Sequence, residues 1–268
     1  MRLLVDIDSA VYKAGFSNQT RSYQIVDTSS GNIVAEYQYK KDVDAFIEKA
    51  DNAKELEAEL CQEAGPVEFS LANAKSVCHT ILKMEHTSYQ FYLAGKGNFR
   101  YDLYPEYKAG RSSKPIHYEE IREYLVKRWK AIHVDGEEAD DRVSWEQCMS
   151  RYPTCIVAID KDLLNTPGLN YNYDTQVLTN ISLEEANLNF ARQLLTGDMT
   201  DNIPGLKGIG KKTAHRLLPT LLPNWKEVVM KEYEKQFGED AEEKMVLYGR
   251  LLWMRRKPEE MWDLSYEC

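Results

Sequence analysis

The sequence predicts an α/β fold, and two observations point to it. Short apolar runs of strand length alternate with longer stretches of helical composition, which is the pattern of a sheet covered by helices. Acidic residues follow several of the apolar runs, at the strand ends where open α/β sheets bind ligands. The hydrophobic share of 43% is enough for a buried core, and the charged share of 29% does not indicate disorder.

The first part of the chain predicts strands and two helices. The run "RLLVDI" (2–7) is a buried strand, and 23–39 is a hairpin of two strands around a Ser-Ser-Gly-Asn turn. Alanine, glutamate, leucine and lysine dominate 41–63, which predicts a helix. A Gly-Pro pair at 65–66 ends that helix, and another helix follows it. The run "YQFYLA" (89–94) predicts a second core strand.

The middle and last parts predict an irregular segment, helices and a third core strand. Residues 95–117 form the longest irregular segment, in which lysines and arginines alternate with aromatic residues. Helices are predicted at 118–132 and 137–150, and a strand at 154–160 ends in acidic residues. The composition of 182–254 is almost entirely helical.

These elements predict two parts in one protein. The first is an α/β core over 1–180 that includes a basic arch at 95–117. The second is a helical part over 181–268 with a helix-hairpin-helix at 203–218.

Composition excludes some classes of protein. No apolar run approaches the twenty residues of a membrane span, and "MRLLVDIDS" begins directly with an apolar strand-like run, so we expect neither a membrane span nor a signal peptide. Five scattered cysteines without a C-x-x-C pair predict free thiols in a reducing compartment, so we expect a cytoplasmic protein. A net charge of −9 is unusual for a nucleic-acid-binding protein, unless the acidic residues have a separate task.

The acidic residues concentrate at the ends of predicted elements, where the carboxyl ends of strands would bring them together. Crowded carboxylates repel one another unless a cation neutralises them, and Mg²⁺ prefers oxygen ligands. Two such ions would stabilise both the attacking and the leaving oxygen of a phosphodiester. The candidate metal ligands are Asp6, Glu138, Asp140, Asp141, Asp160, Asp162, Asp198 and Asp201.

Each of these acids taken alone also fits a turn or a helix start. The set as a whole favours metal binding. Asp8 stays open between a supporting role behind the metal ligands and a helix cap.

The stretch "IPGLKGIGKKTAHRLL" has the form of a helix-hairpin-helix. The glycines Gly205, Gly208 and Gly210 permit a tight turn and a close approach to a phosphate. Lys211 and Lys212 open the following helix, where backbone amides also favour a phosphate. Such a contact reads the DNA backbone and its shape, and the alternative is an ordinary connection between helices.

Five short motifs together resemble the metal-dependent 5′ nucleases, a family that includes flap endonucleases, bacteriophage 5′–3′ exonucleases and the 5′ nuclease domain of bacterial DNA polymerase I. They occur in the family's order and span nearly the whole chain. The motifs are "LLVDIDS", "YPEYKAGR" at 104–111, "GEEADD" at 136–141, "AIDKDLL" at 158–164 and "TGDMTDNIPGLKGIGKKTA" at 196–214. The chain is most similar to the compact phage type, which implies the cytoplasm of a bacterium or of a phage-infected host cell.

The resemblance implies a PIN-like, mostly parallel central sheet and two metal sites. The metal nearer the cleaved phosphate would be held by Asp6, Glu138, Asp140 and Asp160. The second would be served by Asp162, Asp198 and Asp201, with Asp141 either a ligand or a support.

The basic segment of the resemblance carries further expectations. Lys108 and Arg111 match basic residues on a mobile arch that steers the scissile phosphate and adds charge stabilisation during cleavage. Tyr104 and Tyr107 either stack on unpaired bases or anchor the base of the loop.

The sequence departs from the family at one point. After the second core strand the family usually has an acid, and here the run is "LAGKGNFR", with Gly95 near that position. The hairpin at 23–39 is either an insertion with its own partner or a sheet edge.

The resulting expectation is a structure-selective 5′–3′ exonuclease or flap endonuclease that hydrolyses DNA with two Mg²⁺ ions, which Mn²⁺ would replace. It would act as a monomer on free 5′ ends, flaps or junctions in replication or repair, with RNA–DNA hybrids and RNA primers as further candidate substrates. K⁺ at the helix-hairpin-helix is an additional candidate ion. The alternatives are a branched-DNA-binding protein of the same fold that has lost activity, and a small ribonuclease of related type.

Overall fold

The computed structural model describes residues 1–111 and 113–266, and its helices and strands largely follow the predicted alternation. In chain order they are β1 (Arg2–Asp6), α1 (Asp8–Phe16), β2 (Gln19–Asp27), β3 (Ile33–Tyr37), α2 (Lys40–Lys49), β4 (Leu56–Ala64), α3 (Val67–Ile81), β5 (Ser88–Ala94), α4 (Phe99–Leu103), α5 (Tyr118–Trp129), β6 (Ile132–Val134), α6 (Ala139–Met149), β7 (Thr154–Ala158), β8 (Gly168–Asn172), β9 (Val177–Ile181), α7 (Leu183–Thr196), α8 (Lys211–Leu217), α9 (Trp225–Phe237) and α10 (Ala241–Leu252).

The central sheet has the strand order β6-β5-β1-β7-β8-β9 among the described residues. All neighbouring pairs are parallel except β8 and β9, which form an antiparallel hairpin. The central strand β1 is covered on both faces, and Leu3, Leu4 and Val5 are fully buried. This is the mostly parallel α/β sheet that the apolar runs predict, so that fold class is confirmed.

Contact clustering divides the chain into two compact units. The larger consists of Met1–Ser9, Cys78–Ser113 and the chain from Leu125 onward, and the smaller of Ala10–Val77 and Lys114–Tyr124. The boundary expected near residue 181 lies inside the larger unit and stays a prediction.

The smaller unit contains an antiparallel sheet of order β3-β2-β4. The predicted hairpin is present as β2 and β3, but the helix predicted over 41–63 is wrong beyond α2. The segment Leu56–Ala64 is β4 instead, and it pairs along the whole of β2. Its alanines, glutamates and leucines favour a helix, and the complete ladder of hydrogen bonds to β2 outweighs that weak preference.

The last third of the chain is largely helical, as predicted, and forms a cluster of its own. Helices α7, α9 and α10 pack around aromatic side chains, with the Phe190 ring 4.8 Å from the Trp253 ring and 5.2 Å from the Trp262 ring. Helix α7 begins with a capping box, in which Ser182 accepts a hydrogen bond from the Glu185 backbone and the Glu185 carboxylate accepts one in return.

Two compositional expectations can be compared with the described part of the chain. Cys61, Cys78, Cys148 and Cys155 are free thiols, while Cys268 lies outside the described residues. Within residues 1–111 and 113–266, no helix has both the length and the apolar character needed to cross a membrane.

Candidate metal centre

The carboxyl ends of β1 and β7 bring three predicted metal ligands together. Asp6 is the last residue of β1, and Asp160 follows the neighbouring parallel strand β7 by two residues. Asp140 lies in the first turn of α6, which packs against β1. The carboxyl groups of Asp6 and Asp140 lie close enough to affect each other's pKa, and the charge of Asp160 affects both.

Burial and crowding raise the pKa values of the Asp6 and Asp140 carboxyls. Burial raises the pKa of Asp6 to about 7, and the charges of Asp8 and Asp160 add to the rise. Burial also raises the pKa of Asp140 far above its usual range, with further increases from Asp6 and Asp160. Three negative charges in this space are therefore unfavourable without a cation.

The group fits a hard divalent cation. Asp140 Oδ1 is buried without a hydrogen-bond partner, so one carboxylate oxygen is available for coordination. The donors are all carboxylate oxygens, which Mg²⁺ and Mn²⁺ prefer over nitrogen or sulfur. In the arrangement of the described residues, no three His, Cys, Asp or Glu side chains already converge as a complete ligand set. Binding an ion there therefore requires side-chain adjustment.

A second acidic group adjoins the first through Asp160. Burial and the Asp160 charge raise the pKa of Asp162 to about 7, and Asp198 also contributes. Lys161 Nζ lies 2.5 Å from Asp198 Oδ2, and burial of Asp198 is outweighed by this cation, which lowers its pKa. Gln193 donates to Asp162 Oδ1 at 2.9 Å. No sequence pattern points to Lys161 or Gln193 as site residues, although Lys161 lies inside the "AIDKDLL" motif.

Two of the three remaining predicted ligands, Glu138 and Asp201, make ion pairs with the basic segment 104–111. Lys108 Nζ makes an ion pair with Glu138 Oε1, and Arg111 Nη2 lies 2.7 Å from Asp201 Oδ1. Burial alone would raise the pKa of Glu138, but the charges of Lys108 and Arg100 lower it to about 2. Lys108 and Arg111 thus lie against predicted metal ligands.

The contacts of Tyr107 and Tyr104 favour the anchoring interpretation. The Tyr107 side chain is buried in the helical cluster, and its hydroxyl donates to Glu138 or Asp201, with oxygen–oxygen distances of 3.0 and 2.8 Å. Tyr104 packs against the same cluster, and its hydroxyl donates to Glu106. A buried ring cannot stack on an unpaired base in this arrangement.

Asp141 has the contacts of a supporting residue. Its side chain is fully buried, and both carboxylate oxygens accept hydrogen bonds from Arg100, at 2.5 and 2.9 Å. It also accepts from the backbone N–H of Glu138, which fixes the start of α6. Of the two roles left open for Asp141, support is the one that these contacts favour.

Asp8 also has a positioning contact. Its Oδ2 accepts from the backbone N–H of Ala94 at 2.6 Å, and its own N–H donates to Asp6 Oδ1 at 3.0 Å. It therefore connects the ends of β1 and β5 beside the acidic group.

Gly95 lies where an added side chain would clash. A Cβ atom there would overlap the Asp135 carboxylate and lie 2.5 Å from the carbonyl oxygen of Val134. Asp135 is held in place because its Oδ1 accepts from the backbone N–H of Lys96 at 2.7 Å. The glycine is thus required by close packing of β5 against the end of β6.

We expect Gly95→Asp to lower the free energy of unfolding by about 1–3 kcal/mol, the usual range for overpacking a filled site. Urea denaturation measures the change. Gly210→Ala is the matched control, because a Cβ at Gly210 meets no atom within 4 Å and its backbone has an ordinary φ of −91°. Equal stability of the two variants would contradict the packing argument.

The predicted helix-hairpin-helix differs from a tight turn. Helix α7 ends at Thr196 and α8 begins at Lys211, so within 203–218 the helix present is α8 and the connection is longer than predicted. Gly197 and Gly205 pack backbone against backbone, since a Cβ on Gly205 would overlap the carbonyl of Thr196. Gly208 has a φ of +81° with open space around it, as a turn exposed to a partner requires.

Comparisons with known proteins agree with this architecture. No protein-family model matches the chain. DNA polymerase I of Bacillus caldotenax is 32% identical over 146 residues, which is 47% of this chain and 17% of that protein. DNA polymerase I of Rhizobium leguminosarum is 34% identical over 139 residues, which is 45% of this chain and 14% of that protein. The chain spans about one sixth of the length of these relatives.

Among solved structures, the catalytic core of Rad2 in complex with a DNA substrate matches with a TM-score of 0.50 and 10% identity, over 99% of this chain and 81% of that one. The bacteriophage T5 D15 flap endonuclease matches with a TM-score of 0.49 and 15% identity, over 68% of this chain and 79% of that one. The resemblance to metal-dependent 5′ nucleases that the motifs carry is thus confirmed, by the DNA polymerase I relatives in sequence and by the Rad2 catalytic core in fold.

Proposed function

We propose that the protein is a divalent-metal-dependent nuclease that hydrolyses DNA from free 5′ ends or at flaps. The observation that carries the proposal is the meeting of Asp6, Asp140 and Asp160 at one sheet edge, with one buried Asp140 oxygen unsatisfied. Buried carboxylates without cationic partners destabilise a fold, so stability does not explain their presence here. Carboxylates are the ligands that a catalytic magnesium ion uses.

In this proposal Asp6, Asp140 and Asp160 hold one ion, and Asp162 with Asp198 serve a second. When bound, such ions generate a nucleophile at neutral pH and stabilise charge on the reacting oxygens. Lys108 pairs with Glu138 and Arg111 with Asp201, the two further candidate ligands, so both cations are placed to bind a phosphate that approaches the centre. Asp141 positions the start of α6 and leaves the ligand role to its neighbours.

The connection between α7 and α8 is the proposed contact for the DNA backbone. Lys211 and Lys212 are exposed at the start of α8, and the positions of Gly208 and Gly210 leave open space for a phosphate. Contacts of this kind bind a duplex without reading its sequence.

The glycines of this connection predict two different outcomes. Gly205→Ala should destabilise the fold by about 1–3 kcal/mol, because its Cβ would overlap backbone atoms that cannot move aside. Gly210→Ala should leave stability unchanged and weaken duplex binding, because the added methyl occupies the space of the phosphate. Thermal melting and fluorescence anisotropy with labelled duplex would distinguish them. Unchanged duplex binding by Gly210→Ala would show that the DNA backbone is bound at another part of the protein.

A cleavage assay tests the proposed function directly. Labelled blunt duplex, 5′-overhang and 5′-flap DNA would be incubated with Mg²⁺, with Mn²⁺ and with chelator. Metal-dependent release from 5′ ends or flap junctions is expected, and product length separates trimming from junction cutting. Tight binding to the same DNA without cleavage under either metal would instead identify a DNA-binding protein that has lost activity.

A further inference from the structure

A cavity of about 320 Å³ lies beside the metal centre, on one face of the strands β7, β8 and β9. The register of the strands defines its floor. On β8, Asn170 pairs with Ile156 of β7 and with Thr179 of β9. Two residues further along the same face, Asn172 pairs with Ala158 and with Val177, so Val177 lines the cavity from the outer strand. Its volume is within the range of small-molecule sites, roughly 300–1,000 Å³.

The cavity has an apolar body. Ile156 and Ala158 contribute to its floor, and Leu163 and Leu164 line it from the short 3₁₀ segment Lys161–Asn165. Aliphatic side chains of this kind bind a flat ring by dispersion and by displacing water. A planar heterocycle therefore fits the lining better than a flexible polar chain.

One polar atom in the lining lacks a partner. Asn170 is 7% exposed, and its Nδ2 donates to the carbonyls of Thr166 and Gly168 at 3.3 and 3.2 Å. Its Oδ1 is buried with no hydrogen-bond partner. A buried acceptor in this state calls for an N–H or O–H donor from a ligand or water. Because Oδ1 has almost no accessible surface, the Asn170 side chain must turn toward the cavity for a ligand to reach it.

The edge of the cavity belongs to the acidic centre. Asp160 and Lys161 line it, and these residues also form part of the two acidic groups described above. A ligand that fills the cavity therefore has one end at the carboxylates and the Lys161 cation. With the ions of the proposed function bound to these carboxylates, that end of the cavity takes a phosphate, and a nucleotide combines a phosphate with a flat body and an N–H donor.

We propose that this cavity is a nucleobase subsite, which takes the base of the nucleotide whose phosphate lies at Asp160. The proposal rests on the proposed nuclease function for the identity of the ligand. Every DNA base carries an N–H donor for Asn170 Oδ1, so the subsite would accept all four bases. The base comes either from the strand being cut or from a released mononucleotide.

The first test uses nucleosides without phosphate, in chelator, so that neither metal nor cleavage is needed. Saturation-transfer NMR should show the base protons of 2′-deoxyadenosine in contact with the protein. Purine 2′-deoxyriboside lacks the amino donor and should bind about three- to tenfold more weakly, the usual effect of one hydrogen bond. Equal affinity of the two nucleosides, or no contact by either, would overturn the proposal and leave a cavity that holds water.

A matched pair of variants on β9 locates the site. Val177 and Leu178 are equally exposed, at 53% and 52%, but Val177 lines the cavity and Leu178 occupies the opposite face of the sheet. Val177→Trp should abolish nucleoside binding, and Leu178→Trp should leave it unchanged, with thermal melting to verify that both fold. The same loss in both variants, or in neither, would refute the assignment of the cavity.

Cleavage assays then separate the two sources of the base. Competition between 2′-deoxyadenosine and labelled DNA supports a base of the bound strand, and nucleoside binding without competition supports a released mononucleotide. If the wild-type protein binds nucleosides but cuts no DNA with Mg²⁺ or Mn²⁺, the proposed function fails while the subsite stands.

Discussion

Asp160→Ala is expected to lower the rate of DNA cleavage by about a thousandfold or more, because a carboxylate that holds a catalytic ion contributes several kcal/mol to the transition state. The residue is shared between both acidic groups, since its charge affects Asp6 and Asp140 on one side and Asp162 on the other. Its loss therefore weakens both proposed metal positions. Single-turnover cleavage of a 5′-flap substrate in Mg²⁺ measures the effect.

The matched control is Asp102→Ala, which removes an exposed carboxylate from the first turn of α4. It should cleave like the wild type. Duplex affinity in chelator should be retained by both variants, because the proposed DNA contact lies between α7 and α8. Wild-type cleavage by Asp160→Ala would show that the metal-centre assignment is wrong.

Arg100→Met is expected to lower the free energy of unfolding by about 3–5 kcal/mol, the cost of leaving a buried charge unpaired. Arg100 is fully buried, and its guanidinium donates to both oxygens of Asp141 and to the carbonyls of Leu251 and Trp253. This one side chain connects α4 to α6 and to the end of α10. Urea denaturation followed by circular dichroism measures the loss.

Two further variants make this result specific. Arg111→Met removes a half-exposed cation from an ion pair with Asp201, and it should cost less than about 1 kcal/mol. Arg100→Met combined with Asp141→Leu should recover part of the lost stability, because neither charge is then buried alone. A single Arg100→Met variant as stable as the wild type would contradict the argument that the unpaired buried carboxylate destabilises the fold.

The core strands could be predicted from sequence, because a strand that is covered on both faces is a continuous apolar run. This holds for β1, β5 and β7. Strand β4 was mistaken for helix, since its glutamates and alanines carry no strand signal and its structure depends on pairing with β2. The polar hairpin of β8 and β9 and the three-residue strand β6 were not predicted for similar reasons.

The positions of the acidic residues at element ends were predictable, but their cationic partners were not. Arg111 and Asp201 are ninety positions apart in the sequence, and nothing local to either residue marks the pair. The same holds for Arg100 and Asp141, whose pairing makes the difference between a metal ligand and a support. Pairings of this kind depend on the tertiary fold, which residue types and spacing do not specify.

The larger unit is assembled from three separate chain segments, so part of it must wait during synthesis for segments that are made later. The sheet of β2, β3 and β4 is complete once Ala64 has left the ribosome, so the smaller unit has its strands early. Strand β1 pairs with β5 and β7, and it must wait for residues up to Ala158 before both neighbours exist. Nascent chains that end before Asp160 therefore contain Asp6 without one of its partner carboxylates, so the acidic centre cannot be complete before the second half of the chain is synthesised.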